Sequence, residues 1–293
     1  MPGLKEVRTR IASVKSTQQI TSAMKMVSAS KLKKTQNAIL KMRPYAGKLK
    51  EILENLSASL DSTDGIFSAE RKIQKALIVV VTSNRGLCGA FNGNVIKRTI
   101  SLIHSEYNEV YKNGNLAILC IGKKGAEFLI KKKYNVIETN TDLLNTLSFE
   151  NSVLFSERLM KYFLNGVYDK IEVVYNQFKN AAVQNLTNEQ FLPIVKSNIS
   201  ISNKKQPTEY IFEPSKEQIL SELIPKSLKI QFYKILVDTL AAEHGARMTA
   251  MHKATDNADN LLKDLRLSYN KARQASITKE ILEIVGGAEA LKG

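Results

Sequence analysis

The sequence predicts an α/β protein in which a sheet domain is inserted between two long terminal helices. Between Gly3 and Pro44 there is neither Gly nor Pro, and no Pro occurs after Pro225. Both stretches are rich in Ala, Lys, Leu, Met and Gln, which are strong helix formers. The middle instead alternates short β-rich runs with helix-compatible stretches, the pattern of βαβ units. Apolar residues near both termini also recur at the 3-4 spacing of a coiled coil. The expected segments are an N-terminal coiled-coil helix over 1–60, an α/β, Rossmann-like domain over 70–213, and a C-terminal coiled-coil helix over 214–293.

The first helix is expected from near Leu4 to near Leu56, roughly 80 Å at about 1.5 Å per residue. Its seam opens with Leu4, Val7, Ile11 and Val14 and closes with Ile39 and Met42, but between them it reads Gln18, Thr21, Lys25, Ser28, Leu32 and Thr35. Ile20, Met24 and Val27 form a second apolar stripe off that seam. One face therefore suits the C-terminal helix and the other suits something outside the chain. An intramolecular helical bundle and a homodimeric coiled coil are the plainer alternatives.

In the middle, strands are expected at Lys75–Thr82, Leu116–Ile121 and Ile171–Phe178, with helices near 92–112, 123–133 and 149–165. Gln190–Ile194 and Glu209–Phe212 are weaker candidates for an edge hairpin, since Pro193 suits an edge. The last helix is expected from near Lys216 to near Val285, with Pro44 and Pro225 kinking the long helices or marking breaks near their ends. One heptad register runs through it from Ile230 to Leu282, by way of Met251, Ala254, Ala258, Leu261, Leu265, Ser268, Ala272 and Ala275. A seven-residue repeat kept this long implies a left-handed supercoil.

The 293 residues carry 43 Lys and Arg against 28 Asp and Glu, a net charge of +15. Such a balance invites nucleic acid or an anionic surface, so its placement matters. Residues 1–60 hold 12 of the cations against Glu6, Glu51 and Glu54, so the excess is concentrated in the first helix. Two cysteines, Cys88 and Cys120, are too few for a disulfide scaffold and favour a reducing compartment. The start MPGLKEVRTR lacks the apolar core of a secretory signal, and the longest apolar runs are far too short to span a membrane.

Chemistry-bearing motifs are weak. After the first strand, Gly86, Gly89 and Gly93 invite a phosphate-binding reading, but their spacing matches neither the dinucleotide fingerprint nor the P-loop. A structural turn is the expectation there and at Gly122-Lys-Lys-Gly125. His244 and His252 stand eight apart without Cys or carboxylate at ligand spacing, and H-E-x-x-H is absent. Nothing assembles a nucleophile, base and orienter. No cofactor, no metal and no catalysis by the chain itself are expected.

Three blocks carry a family resemblance. They are Gly3–Lys31, including Ser22-Ala-Met-Lys-Met-Val-Ser28; the turn Ser83-Asn-Arg-Gly-Leu-Cys-Gly89; and Arg247–Ala258 with Tyr269-Asn-Lys-Ala-Arg-Gln-Ala-Ser-Ile-Thr-Lys-Glu-Ile281. Together they closely resemble the gamma subunit of the rotary ATP synthase, in order and over the whole chain. The resemblance implies a central rotor shaft, a long antiparallel coiled coil of the two termini inside a ring of alpha and beta subunits, with the α/β domain as its foot. Proton flow through a membrane ring of c subunits would turn the foot, and the asymmetric shaft would drive three catalytic sites on the beta subunits.

By the same resemblance, Arg273, Gln274 and Thr278 would hydrogen-bond a loop of a beta subunit, and Met24 would lie against the lower lever of the catalytic subunits. Tyr210 and Glu213 would meet the polar loops of the membrane ring and the epsilon subunit. Ala242 and Asn84 depart from the family, which commonly has Ser and Asp there. The paired cysteines of chloroplast relatives are missing, so thiol control is not expected. With no transit peptide before the match, a bacterial protein or an already processed chain is expected, and the place expected is the cytoplasmic face of a bacterial inner membrane. The competing reading is a basic coiled-coil protein that binds nucleic acid.

Overall fold

The computed structural model describes residues 4–58, 67, 71–194 and 216–290. Two compact units divide the chain, one of Met1–Ser28 with Arg247–Gly293 and one of Ala29–Ala246. Helix α1 spans Leu4–Ala58 and helix α6 spans Lys216–Ala290, so each long helix contributes to both units. Pro44 and Pro225 lie inside these helices and end neither of them.

The larger unit holds a five-stranded sheet in the order β3-β2-β1-β4-β5. Its strands are β1 Ala76–Val81, β2 Leu116–Ile121, β3 Val136–Asn140, β4 Lys170–Phe178 and β5 Gln184–Leu192. The first four are parallel, and β5 returns antiparallel along β4 as the edge of a hairpin. Pro193 follows directly, where no ladder donor is needed. Glu209–Phe212, the other half of the expected edge hairpin, lies outside the described residues.

Central strands β1 and β2 are buried at every residue because both faces are covered. Leu77, Val79 and Val81 point into one core with α5 (Phe149–Leu164) and with Leu228–Leu236 of α6, where the Phe155 and Phe232 rings stack 5.3 Å apart. Ile78 and Val80 point into the other core, against α2 (Phe91–Ser105) and α4 (Lys123–Lys131). The stretch expected as one helix near 92–112 is two, since α3 (Asn108–Lys112) starts anew after Tyr107 turns into that core.

The glycines of Gly122-Lys-Lys-Gly125 have an internal explanation. A Cβ on Gly122, whose φ is +99°, would collide with the Thr82 carbonyl, and one on Gly125 would sit 2.8 Å from the Thr82 hydroxyl. That hydroxyl accepts the Gly125 N–H at 2.9 Å and so satisfies an orphan donor of α4.

In the smaller unit hydrogen-bond contacts join α1 to α6. Gln18 Nε2 donates to Asp259 Oδ1 at 2.6 Å, Thr21 meets Thr255 at 2.9 Å, and Lys25 Nζ meets His252 Nδ1 at 3.3 Å. Partner numbers fall on α6 as they rise on α1, so the helices run antiparallel, and Gln18 to Lys25 and Asp259 to His252 are each one heptad. The α1 seam is the expected one, and its polar middle is buried too, with Thr21 and Ser28 under 10% exposed.

On α6 half of the expected register shifts by one residue. Met251, Ala258 and Leu265 are buried as expected, but in the companion column Leu262 and Tyr269 are covered in place of Leu261 and Ser268, and Thr255, half-buried like Ala254, makes the contact across the seam. Leu262 is 5% exposed and Leu261 is 40% exposed. Two adjacent leucines left the side of the stripe undecided, and the threonine contact at 255 decides it.

Candidate partner interface

Among the described residues, both long helices carry exposed apolar side chains off their shared seam. On α1, Ile20 and Val27 are 60% and 57% exposed on one face away from the seam, and Met26, 65% exposed, lies about 100° round the helix from Val27. Met24 shares that stretch but is half-buried, because it lies between the exposed stripe and the seam. The helical period thus gives Met24 one side for α6 and another for the outside.

On α6 the antiparallel register places Arg273 opposite the first turn of α1. Beyond it the helix has no α1 residue alongside, and Ile277, Ile281, Leu282, Ile284 and Val285 are 44–70% exposed. Lys279 and Leu282 belonged to the expected seam, but they lie past its end. Heptad counting on one helix cannot show where the other stops.

Arg273, Gln274 and Thr278 are exposed at the start of this solitary stretch. Thr278 donates to the Gln274 carbonyl at 2.9 Å, which leaves its own acceptor lone pairs open to solvent. Met24 is about 20 residues along the pair from them, or roughly 30 Å, so the four residues form two surfaces and not one. Tyr210 and Glu213 lie outside the described residues.

In the larger unit the turn after β1 is a closed network. Ser83 Oγ donates to the Arg85 carbonyl at 2.6 Å, and Asn92 Nδ2 donates to Ser83 Oγ at 2.8 Å and lies 3.2 Å from Cys88 Sγ. Cys88 packs with Phe91 and Ala242, so Ala242 fills an apolar contact. Asn84 donates to the Thr141 carbonyl at 2.7 Å and to Asn145 at 3.0 Å, bonds an Asp could not make when ionised. Its Oδ1 accepts from the Lys123 N–H at 3.1 Å. Burial alone pushes the Cys120 thiol up to about 12, far from the range of a reactive thiolate.

An open cleft of about 870 Å³ beside this turn is lined by Asn84, Arg85, Lys123, Glu127 and Thr141 among others. Lys123 and Lys124 both pair with Glu127, holding its carboxyl below the usual range, so the lysines there are already engaged. Among the described residues no group of His, Cys, Asp and Glu could hold a metal ion, and no helix is long and apolar enough to cross a membrane.

Comparison with known proteins covers the whole chain. A family profile described as ATP synthase matches residues 3–291. An ATP synthase gamma chain of Cytophaga hutchinsonii is 55% identical over 293 residues, spanning 99% of each chain. One of Flavobacterium psychrophilum is 56% identical over 296 residues, spanning 100% of each. Among solved structures, a chain of the Euglena gracilis mitochondrial ATP synthase (OSCP/F1/c-ring) matches with a TM-score of 0.70 and 22% identity, covering 98% of this chain and 94% of that one. At that identity the likeness carries the fold.

Proposed function

The chain belongs to the ATP synthase gamma chain family, and on that premise we propose how it serves as the central-stalk rotor of the complex. It is a subunit of an ATP synthase and couples ion flow through the membrane ring to ATP synthesis or hydrolysis on the alpha/beta hexamer. We infer that it catalyses nothing itself and acts as a cam. The observation that carries this reading is the antiparallel α1–α6 pair, closed by a partly polar seam and bearing apolar side chains on its outer faces.

A shaft that turns inside a ring must touch each catalytic subunit in succession without binding any of them permanently. An outer stripe as short as Ile20 and Val27 buries only a few side chains at a time, each worth about 1.5–3 kcal/mol. Met24 is the residue we assign to the lower lever of the catalytic subunits, and Arg273, Gln274 and Thr278 to a beta-subunit loop. There Arg273 supplies a forked donor and Gln274 a donor and an acceptor, the groups a polar loop needs. Tyr210 and Glu213 are assigned, by family likeness alone, to the ring of c subunits and to epsilon.

The sheet domain, our segment 70–213 within the larger unit, is the foot that takes torque from the ring. The site of action is the cytoplasmic face of a bacterial inner membrane, reached through the complex. The nucleic-acid reading of the basic first helix finds no support in the full-length relatives.

Purification through a tag on this chain should bring down a multisubunit ATPase, while the chain alone hydrolyses no ATP. Recovery without alpha and beta subunits, or ATP synthesis left intact by its deletion, would sink the proposal.

A further inference from the structure

All four parallel strands begin at one end of the sheet, where α3, α4 and α5 finish. Printed on that end is a set of cross-links that make it a single face. Asp169 Oδ2 accepts the Gln74 and Lys75 N–H groups, each at 2.9 Å. Ala76 N–H donates to the Asn115 carbonyl at 3.2 Å, and Asn135 Nδ2 donates to the Leu116 carbonyl at 3.2 Å. The Arg71 guanidinium lies 5.3 Å from the centre of the Phe163 ring.

Among the described residues this face carries exposed Arg71, Lys72, Lys75, Lys112 and the run Lys131–Lys133 against two exposed carboxylates, Glu106 and Glu109. Its other acids are engaged: Glu172 is buried and pairs with Lys170 at 2.8 Å, and Asp169 holds the two backbone donors. None of the six exposed lysines has an ion pair among the described residues, whereas both lysines at the start of α4, on the opposite end, share Glu127. The helix macrodipole accounts for one cation at the end of α3 and one at the end of α4. It does not account for Lys132 and Lys133, which follow α4, or for Arg71, Lys72 and Lys75, which precede β1.

Apolar side chains are set among these charges. Ile73, Val167 and Leu164 are 41%, 41% and 39% exposed, and the half-buried Tyr134 and Tyr168 stand in the segments that lead into β3 and β4. Lysine stems with protruding aliphatic groups and tyrosines at the rim are the combination that suits a lipid–water boundary.

We propose that this end of the sheet domain is a docking face for anionic lipid headgroups, with the lysines taking phosphates and Ile73 and Val167 entering the headgroup layer. The choice of lipid over nucleic acid rests on the reading of the chain as part of a membrane-bound complex and on the exposed aliphatic groups, which bases do not need. Each lysine near an anionic surface contributes about 1 kcal/mol.

The test is flotation of the purified full chain with vesicles of phosphatidylcholine alone, or with phosphatidylglycerol as one-third of the lipid. Binding should require phosphatidylglycerol and weaken as salt is raised. K131Q/K132Q/K133Q should lower the partition coefficient on the order of 100-fold, three lysines at about 1 kcal/mol each. K31Q/K33Q/K34Q, on the basic first helix, should stay within about twofold of the parent, since those lysines lie outside the face. Flotation indifferent to phosphatidylglycerol, a Lys131–Lys133 variant that floats like the parent, loss in the α1 variant instead, or binding to single-stranded DNA without binding to vesicles would each overturn the proposal. The vesicles contain no other subunit, so this outcome is separate from assembly with alpha and beta chains, which co-purification reads.

Discussion

The Thr21 hydroxyl of α1 lies 2.9 Å from the Thr255 hydroxyl of α6, in the middle of the helix seam. Each is also placed to donate to its own helix, Thr21 to the Gln18 carbonyl at 3.0 Å and Thr255 to the Met251 carbonyl at 2.9 Å. Two protons cannot serve three contacts, so one hydroxyl bonds across the seam while the other bonds its own backbone. Thr21→Val or Thr255→Val should each cost about 0.5–1.5 kcal/mol as the bond across the seam is lost and the remaining hydroxyl turns to its own helix carbonyl, and the double variant should cost about as much as one single variant because the same bond is lost only once. Denaturant unfolding of the full chain, arranged as a double-mutant cycle, measures this. Additive losses would mean the hydroxyls do not interact.

The shifted register separates two alanines that the sequence placed on one seam. Ala258 is 7% exposed and faces α1, while Ala275 is exposed on the outer side. Ala258→Leu should overpack the pair and cost about 1–3 kcal/mol. Ala275→Leu should change stability by no more than about 0.5 kcal/mol. Equal melting shifts for the two would restore the sequence-derived register.

What was legible in the sequence followed from how strongly each segment is patterned. Both long helices, β1, β2, β4 and the helices α4 and α5 stand out because long helix-forming stretches or β-branched runs dominate them, with Pro44, Pro225 and Gly125 too isolated to break the pattern. Strand β3 was missed: Val136-Ile-Glu-Thr-Asn140 is a half-exposed edge strand, and three polar residues in five hide its alternation. Strand β5 was read only at its buried end, because Gln184–Glu189 is polar and only partly buried. The partner surfaces were legible as an unexplained stripe at Ile20, Met24 and Val27, but the solitary end of α6 was not, since it depends on where α1 begins. The basic end of the sheet was equally hidden, because its cations come from three separate loops that only the topology assembles.

Gly245 lets the β4–β5 turn approach α6. A Cβ there would stand 3.1 Å from the Ala181 carbonyl oxygen and 3.2 Å from its Cα, both backbone atoms that cannot swing aside. Gly245→Ala gains about 1 kcal/mol of helix propensity and loses a comparable amount to the shift it demands, so its net effect should be small. Gly245→Leu has no such balance and should cost about 1–3 kcal/mol, with faster amide exchange at Asn180–Val183. Unchanged exchange in that turn would contradict the close approach.

The pair Lys229–Glu157, at 2.6 Å, docks α5 onto α6. The hydrogen bond and the charge of Lys229 hold the Glu157 carboxyl below the usual glutamate range. A depressed folded value means this stabilisation is present above the ordinary glutamate pKa of about 4.3 and is lost as pH falls through the lower folded value. Glu157→Gln should therefore reduce stability slightly at neutral pH and make its decline in acid shallower. Identical pH profiles for the parent and the variant would remove the pair from the account.

The central claim is that this chain turns inside the complex. Leu154, 68% exposed on α5, is a suitable site for a Leu154→Cys label, because Cys88 and Cys120 are both buried. With the hexamer fixed to a surface and ATP supplied, a probe on that cysteine should rotate in one direction, in three equal steps per turn. ATP hydrolysis at full rate with the probe stationary would contradict the account.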